Sequence, residues 1–475
     1  MPQPPERLIN ARGWRFLAAA LMVALTVPRL WQPGMFIDGI TYAVVARNLS
    51  QGIGSLWSPS FSATTYDAFD EQLPLGMAIQ SVAFWIFGDH FAVERGYSLA
   101  VFALNGLLLA AIWRRLLPPA YDWLPILVWM VPSVVTWAVV NNMLENTQAL
   151  FTGLACYALL STATTSTAGS LVLAAVAAAS VVAAVLVKGP VGFFPLAMPI
   201  LVALLPPEQR PRRQMVVWPA FVSVLAIISV WVLVSDGPRH AIDAFMGAHL
   251  TPALTGDRGI GPRGWDFSRH LAMGIWLRMA VVAGLAWLVF RLRRRVATQQ
   301  LPVRQAAFFF AVACAASMPI LVSPVLAGHY FVPSMPWFAL AFAAVTLPAI
   351  SAYRSRPSSL SWRLPVLIAT LLLVSVVAVV ATHGSLEVRS RELVRDLNAI
   401  RDVAPRGETI GACPSSQFDW ELLNYFQRFY LISLQPDGEP HAGWFLLATD
   451  GCATPASCQP VEGTTKFTLL RCRAR

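Results

Sequence analysis

Long apolar runs separated by short polar segments recur along nearly the whole chain. They are too long for strands and too evenly apolar to be the one-sided helices of a soluble core. A bilayer core about 30 Å thick takes about 20 residues of helix, and inside it every backbone amide must be paired. The pattern predicts roughly eleven spans: near residues 14–31, 97–113, 124–140, 149–160 and 171–187, one descending from the joint 188–192 to Arg210, 216–234, one between 270 and 291, then 306–322, 330–350 and 364–381. The run over 76–88 is too short to cross comfortably and is expected to lie flat at the interface. Beyond residue 383 the pattern changes to a polar helix (387–403), a strand (409–412), a helix (417–429) and apolar strands (431–434, 444–448, 466–470).

The fold class expected is therefore an all-α polytopic membrane domain, residues 1–382, followed by a small external α/β domain, residues 383–475. Composition agrees: 56% of residues are hydrophobic, 13% are charged, and mean hydropathy is +0.58. The net charge of +10 has a topological origin rather than a nucleic-acid one. Arg7, Arg12, Arg15, Arg114, Arg115, Arg210, Arg212, Arg213 and Arg291–Arg295 fall at alternate span ends, as the retention of cations on cytoplasmic loops requires. No cleavage site follows the first run, so it is expected to remain as a span. This puts the N-terminus inside, the loops 32–95 and 235–270 outside, and the tail outside. Four of six cysteines, Cys413, Cys452, Cys458 and Cys472, lie in that tail, where an oxidising compartment lets them pair in one of three ways.

Candidate chemistry gathers at the outer ends. Asp38 stands where a short helix begins after the first span; it is either a helix cap or a base facing a pocket. Glu145 borders the fourth span as a helix anchor or a functional acid, and Lys188, beside Gly189, is a snorkelling cation or a phosphate ligand. His329 and Tyr330 open the tenth span. The loop 235–270 carries Arg239, His240, His249, Arg258, Arg263, Arg269 and His270 on the side where cations are not expected, pointing to an anionic partner. No phosphate-binding loop, dinucleotide fingerprint, HExxH or Cys-x-x-Cys motif is present.

In order along the chain, these residues resemble a family. Asp38, Tyr42 and Ala46-Arg47-Asn48-Leu49, then Glu71-Gln72-Leu73-Pro74-Leu75, Met143-Leu144-Glu145, Lys188-Gly189-Pro190 and His329-Tyr330-Phe331-Val332-Pro333 are similar to motifs of the bacterial aminoarabinose and related lipid A glycosyltransferases. More distantly they resemble the protein O-mannosyltransferases; both are polytopic enzymes of the GT-C class. The sequence departs from the family at Gly39, where a second acid is common, and at Gln72, where a Lys is expected.

The resemblance implies an inverting transfer of one sugar from a polyprenyl-phosphate donor to a glycolipid, polysaccharide or protein acceptor, at the outer face of a bacterial inner membrane. It implies Asp38 as the base, assisted by Glu145. Lys188, His329 and Arg47 would meet the donor phosphate, and Tyr42, Glu71, Gln72, His249 and Tyr330 the substrates. No cofactor is called for, although an acidic pair could hold a divalent cation. Two other classes fit many spans with outward cations: a transporter or flippase of a lipid-linked sugar, whose essential charges belong nearer mid-membrane, and a scaffold whose tail binds a partner.

Overall fold

The computed structural model describes residues 5–32, 34–211, 213–251, 284, 301–321, 327–354, 363–383, 389–448 and 452–473. Among these, six helices are long and apolar enough to cross a membrane, and a bent pair brings the number to seven. The predicted span between 270 and 291 lies outside the described residues, as do Arg258, Arg263, Arg269 and His270.

In chain order the first helices are α1 (Pro5–Leu30), α2 (Ile37–Ser50), α3 (Leu75–Phe87) and α4 (Phe91–Leu116). Then come α5 (Leu124–Trp129), α6 (Ser133–Val140), α7 (Leu144–Ser161) and α8 (Thr167–Lys188). Further long helices are Gln214–Val234, Val303–Leu321, Met335–Arg354 and Arg363–His383. Trp113, Trp129, Phe308, Phe309 and Trp337 fill the bundle interior. Ile227, Val230, Trp231 and Val234 of Gln214–Val234 are exposed, the surface a lipid-facing helix presents. The protein is an integral membrane protein. At one end of the bundle Asp122 accepts from Arg15 at 2.7 Å and from Arg114 at 2.8 Å, so Arg15 of α1 and the Arg-bearing end of α4 share one face.

Two predicted spans are not the single helices that the apolar pattern suggested. The third divides into α5 and α6, inclined at 78°, because Pro132 lacks an N–H and drives its predecessor out of the helical region. The sixth becomes 3-10 turns around a four-residue helix, Met198–Leu201, with Pro190, Pro195 and Pro199 removing donors in succession. The second starts earlier than read, at Phe91, so α4 takes in the end of the segment assigned to the first outer loop.

The loop after α2 forms a short hairpin, β1 (Gly54–Ser55) with β2 (Ser58–Pro59). The tail forms a sheet from β3 (Thr409–Ala412), β4 (Ser433–Gln435), β5 (Trp444–Ala448), β6 (Cys458–Pro460) and β7 (Phe467–Cys472), in the order β4-β3-β5-β7-β6. Strand β3 is parallel to both neighbours, and the remaining pairs are antiparallel. Its helices are shorter or later than read: Arg391–Ala399, and Trp420–Tyr430 after a 3-10 turn. Strand β6 escaped the sequence reading because Cys458-Gln459-Pro460 has no apolar alternation. The structure joins Cys413 to Cys452 and Cys458 to Cys472.

The helix Trp420–Tyr430 fixes the tail onto α2. Thr41 Oγ1 donates to Asn424 Oδ1 at 2.7 Å, the Met35 amide donates to the Tyr425 hydroxyl at 3.0 Å, and Arg47 donates to the Gln427 carbonyl at 2.9 Å. Beside these, Arg428 meets Glu94 at 2.9 Å and Asp89 at 2.7 Å. Glu94 is 3% exposed, and Arg95 reaches it only at 3.3 Å, so removing Arg428 strands a buried carboxylate. Arg428→Met is therefore expected to loosen the tail by about 3 kcal/mol, measured as faster hydrogen exchange across Trp420–Tyr430. Unchanged exchange there would assign the docking to the neutral contacts alone.

Candidate active site

Helix α2 is buried almost all round, from Gly39 to Asn48, because it lies between the bundle and the tail. Its start is set by neighbours rather than by a capping side chain of its own. Phe36 occupies the cap position, and its amide donates to Asn141 Oδ1 at 2.7 Å. Asn142 donates to the Gly39 carbonyl at 3.0 Å. A Cβ on Gly39 would lie 1.9 Å from the Asn141 carbonyl oxygen, so the close approach of α2 to the end of α6 requires glycine there. No second acid fits beside Asp38 at this position. Asp38 is thus not the cap; it stands in the first turn, where the helix dipole still favours a carboxylate.

Asp38 and Tyr42, four residues apart, share one face of α2. Against that face come Glu145 in the first turn of α7, Lys188 as the last residue of α8, and His329 and Tyr330 in the 3-10 turn Gly328–Ser334. Glu145 and Lys188 each stand at the helix end whose dipole suits their charge. Lys188 Nζ lies 2.8 Å from Glu145 Oε1 and donates to the Tyr42 hydroxyl at 3.2 Å. It also lies over the Tyr42 and Tyr330 rings, 5.4 and 5.8 Å from their centroids. His329 Nε2 is 3.6 Å from the same Glu145 oxygen. The imidazole stacks on Trp137 at 5.6 Å and meets Tyr330 edge-on at 4.7 Å, which fixes its plane. Gly189, at φ +81°, turns the chain immediately after Lys188, and Gln148 donates to its carbonyl at 3.3 Å.

The side chains of Lys188 and Glu145 are 9% and 2% exposed, so their pairing is nearly dry. Burial raises the Asp38 carboxyl above the ordinary carboxylate range; Lys188 and then His329 pull it back, and Glu145 raises it further. Burial also raises the Tyr42 phenol, which therefore remains neutral beside the ammonium.

The other candidates fall elsewhere. Arg47 points to the far side of α2, 1% exposed, with its guanidinium on Asp89, Asn48 and Gln427. Burial lowers it to about 10, against the pull of Asp89, and it remains a cation engaged in tail docking rather than in this cluster. Glu71 accepts from the Tyr66 hydroxyl at 2.8 Å, and Gln72 lines a separate cleft described below. The side chain of His249 lies outside the described residues. Among the described residues, no three His, Cys, Asp or Glu side chains group closely enough to hold a metal ion. Sequence reasoning passed over Phe36 and Trp137, which house His329, and took Asn141-Asn142 only as a span end. Two adjacent amides closing an apolar run were the available signal.

No family model matches the sequence, and no curated protein matches it. Solved structures do. ArnT from Cupriavidus metallidurans bound to undecaprenyl phosphate superposes with a TM-score of 0.60 at 14% identity, covering 96% of this chain and 97% of that one. The fold is ArnT-like. The apo state of the same ArnT gives the same TM-score at 15% identity. The archaeal oligosaccharyltransferase AglB from Archaeoglobus fulgidus, in complex with an inhibitory peptide and a dolichol-phosphate, follows at 0.52 and 12% identity, with 64% of its length covered. The ArnT likeness takes in the bundle and the tail alike, since nearly the whole of each chain is covered.

Proposed function

We propose that the chain is a glycosyltransferase of the GT-C type in a bacterial inner membrane, moving one sugar from a polyprenyl-phosphate donor to an acceptor at the outer face. The observation that carries this reading is the convergence of Lys188, His329, Glu145 and Tyr42 beside Asp38, at the end of the bundle where the tail docks. The ArnT-like fold supports it, because one such neighbour was solved with undecaprenyl phosphate. N-terminal Arg residues on the opposite side would leave the N-terminus cytoplasmic and the tail periplasmic.

In this reading the acceptor hydroxyl attacks the anomeric carbon from the face opposite the phosphate. Asp38 takes the hydroxyl proton as the new C–O bond forms. The bond from the anomeric carbon to the phosphate oxygen breaks, its electron pair leaves with the polyprenyl phosphate, and the configuration inverts. Lys188 stabilises the charge that develops on that oxygen, aided by the fixed His329. Glu145 holds the ammonium in place, and its own charge is balanced by doing so. The isoprenoid tail stays in the lipid, which is why such chemistry belongs at a membrane boundary.

The test is to incubate membranes containing the protein with undecaprenyl-phosphate-linked radiolabelled sugars and to follow release of undecaprenyl phosphate together with label on envelope components, with mass spectrometry giving the increment. Release that depends on the protein is expected. Label that crosses the bilayer while still on the lipid would replace this reading with transport. The tail side is checked separately by reporter fusions after Ser161 and at the C-terminus; a cytoplasmic tail would put the cluster on the wrong side for a lipid-linked donor delivered from outside.

A further inference from the structure

A concavity opens between the β1–β2 hairpin, the loop that follows it and the helix Asp236–Phe245. It has a volume of about 40 Å³ and is lined by Trp57, Phe69, Asp70, Gln72 and His240, with Ala241 and Ala244 as its small wall. Phe69 is buried, and the indole of Trp57 lies against the backbone of Gly237, where a Cβ would come within 2.7 Å of the ring. The aromatic wall is therefore held before any ligand arrives. Among the described residues, the side chains of Asp70, Gln72 and His240 have no hydrogen-bond or ion-pair partner. Single exposed polar groups without partners are ordinary; three of them around one aromatic-walled concavity is the usual composition of a small-molecule site.

The chemistry of this set is that of a pyranose ring. A carboxylate accepts two hydrogen bonds from vicinal hydroxyls, the amide of Gln72 both donates and accepts, and the imidazole of His240 offers one further donor or acceptor. The indole supplies an apolar plane for the C–H face of the ring. An anionic headgroup would meet the Asp70 carboxylate, and a hydrocarbon chain would leave three polar groups without partners. The volume suits the edge of one ring rather than an enclosed oligosaccharide.

The position relates the cleft to the cluster on α2. Pro74, at its floor, starts α3, whose Gly76 approaches Leu144 and Val187, the immediate neighbours of Glu145 and Lys188. Ala244, on its wall, precedes Phe245, which packs within 3.2 Å of the Cβ position of Gly189. We propose that this cleft is a sugar-binding subsite for the acceptor, holding a ring other than the one that receives the transferred residue. This rests on the glycosyltransferase reading for its purpose, and it selects a saccharide-bearing acceptor over a polypeptide one.

The full chain in detergent micelles, mixed with a panel of methyl glycosides and disaccharides at millimolar concentration, tests this by saturation-transfer NMR. Undecaprenyl phosphate binding to the same samples is measured in parallel. At least one saccharide is expected to receive saturation on its ring protons. Trp57→Ala is expected to abolish the transfer and Asp70→Asn to weaken binding at least tenfold, with undecaprenyl phosphate binding unchanged in both. Should Trp57→Ala fail to fold, Asp70→Asn carries the test alone. Absence of transfer from the whole panel, or transfer that survives Asp70→Asn at full strength, overturns the subsite while leaving the donor reading in place. Loss of undecaprenyl phosphate binding by the wild-type chain, with saccharide binding intact, would instead overturn the donor reading and leave a sugar site without its reaction.

Discussion

Asp38→Asn is expected to lower sugar transfer by about 10²–10⁴-fold, the range a positioned general base contributes, while undecaprenyl phosphate still binds. The same change is expected to leave the protein at least as stable. Burial holds the folded-state carboxyl above its ordinary value of 3.8, so the folded chain binds this proton more tightly than the unfolded one. Its contribution to stability is then complete below that ordinary value and is lost as pH rises through the folded value. Wherever the carboxyl is ionised it is a net cost to the fold, which the isosteric amide removes. Thermal unfolding in detergent and transfer assays on one preparation read both halves. Transfer should also rise with pH on a limb displaced above the usual carboxylate range, and Asn should abolish that limb. An inactive variant that also unfolds earlier would mean Asp38 serves the fold rather than the reaction.

The second large effect belongs to the Lys188–Glu145 pair. Lys188→Ala leaves Glu145, 1% exposed, with only His329 at 3.6 Å among the described residues, and is expected to cost about 3–5 kcal/mol of stability. Transfer should fall as well, by about 10²–10³-fold if the ammonium stabilises the leaving oxygen as a preorganised donor does. These two losses are separable. Lys188→Met combined with Glu145→Gln removes both charges, so the unfolding temperature should recover while transfer does not. A double variant that recovers transfer along with stability would reduce the pair to a structural tie.

Much of this was legible in the chain. The order of apolar runs located the long helices, and short runs located β3 and β5 to the residue, because each signal is local. The reading failed where tertiary contacts decide. Apolarity alone does not separate one straight span from α5 and α6, since the break comes from Pro132, a single residue inside an unbroken apolar pattern. Asp38, Tyr42, Glu145, Lys188, His329 and Tyr330 stood out by residue type at span ends, and the fold brings them together from four segments. Arg47 looked no different from them in sequence. Its side of α2 is set by register: five residues beyond Tyr42 it is turned away from Lys188 toward the tail, where Gln427 and Asp89 engage it. Nothing local encodes those partners, which lie 380 and 42 residues away.

The docking of Trp420–Tyr430 on α2 also orders events during synthesis. Thr41 is made 383 residues before its partner Asn424, which belongs to the domain that carries both disulfides. Until the tail has folded, the Met35 amide lacks the Tyr425 hydroxyl and Thr41 keeps only its bond to the Ile37 carbonyl, so the helix that carries Asp38 has one open flank. In the proposed reading, competence therefore arrives with folding of the tail onto α2 rather than with insertion of the spans.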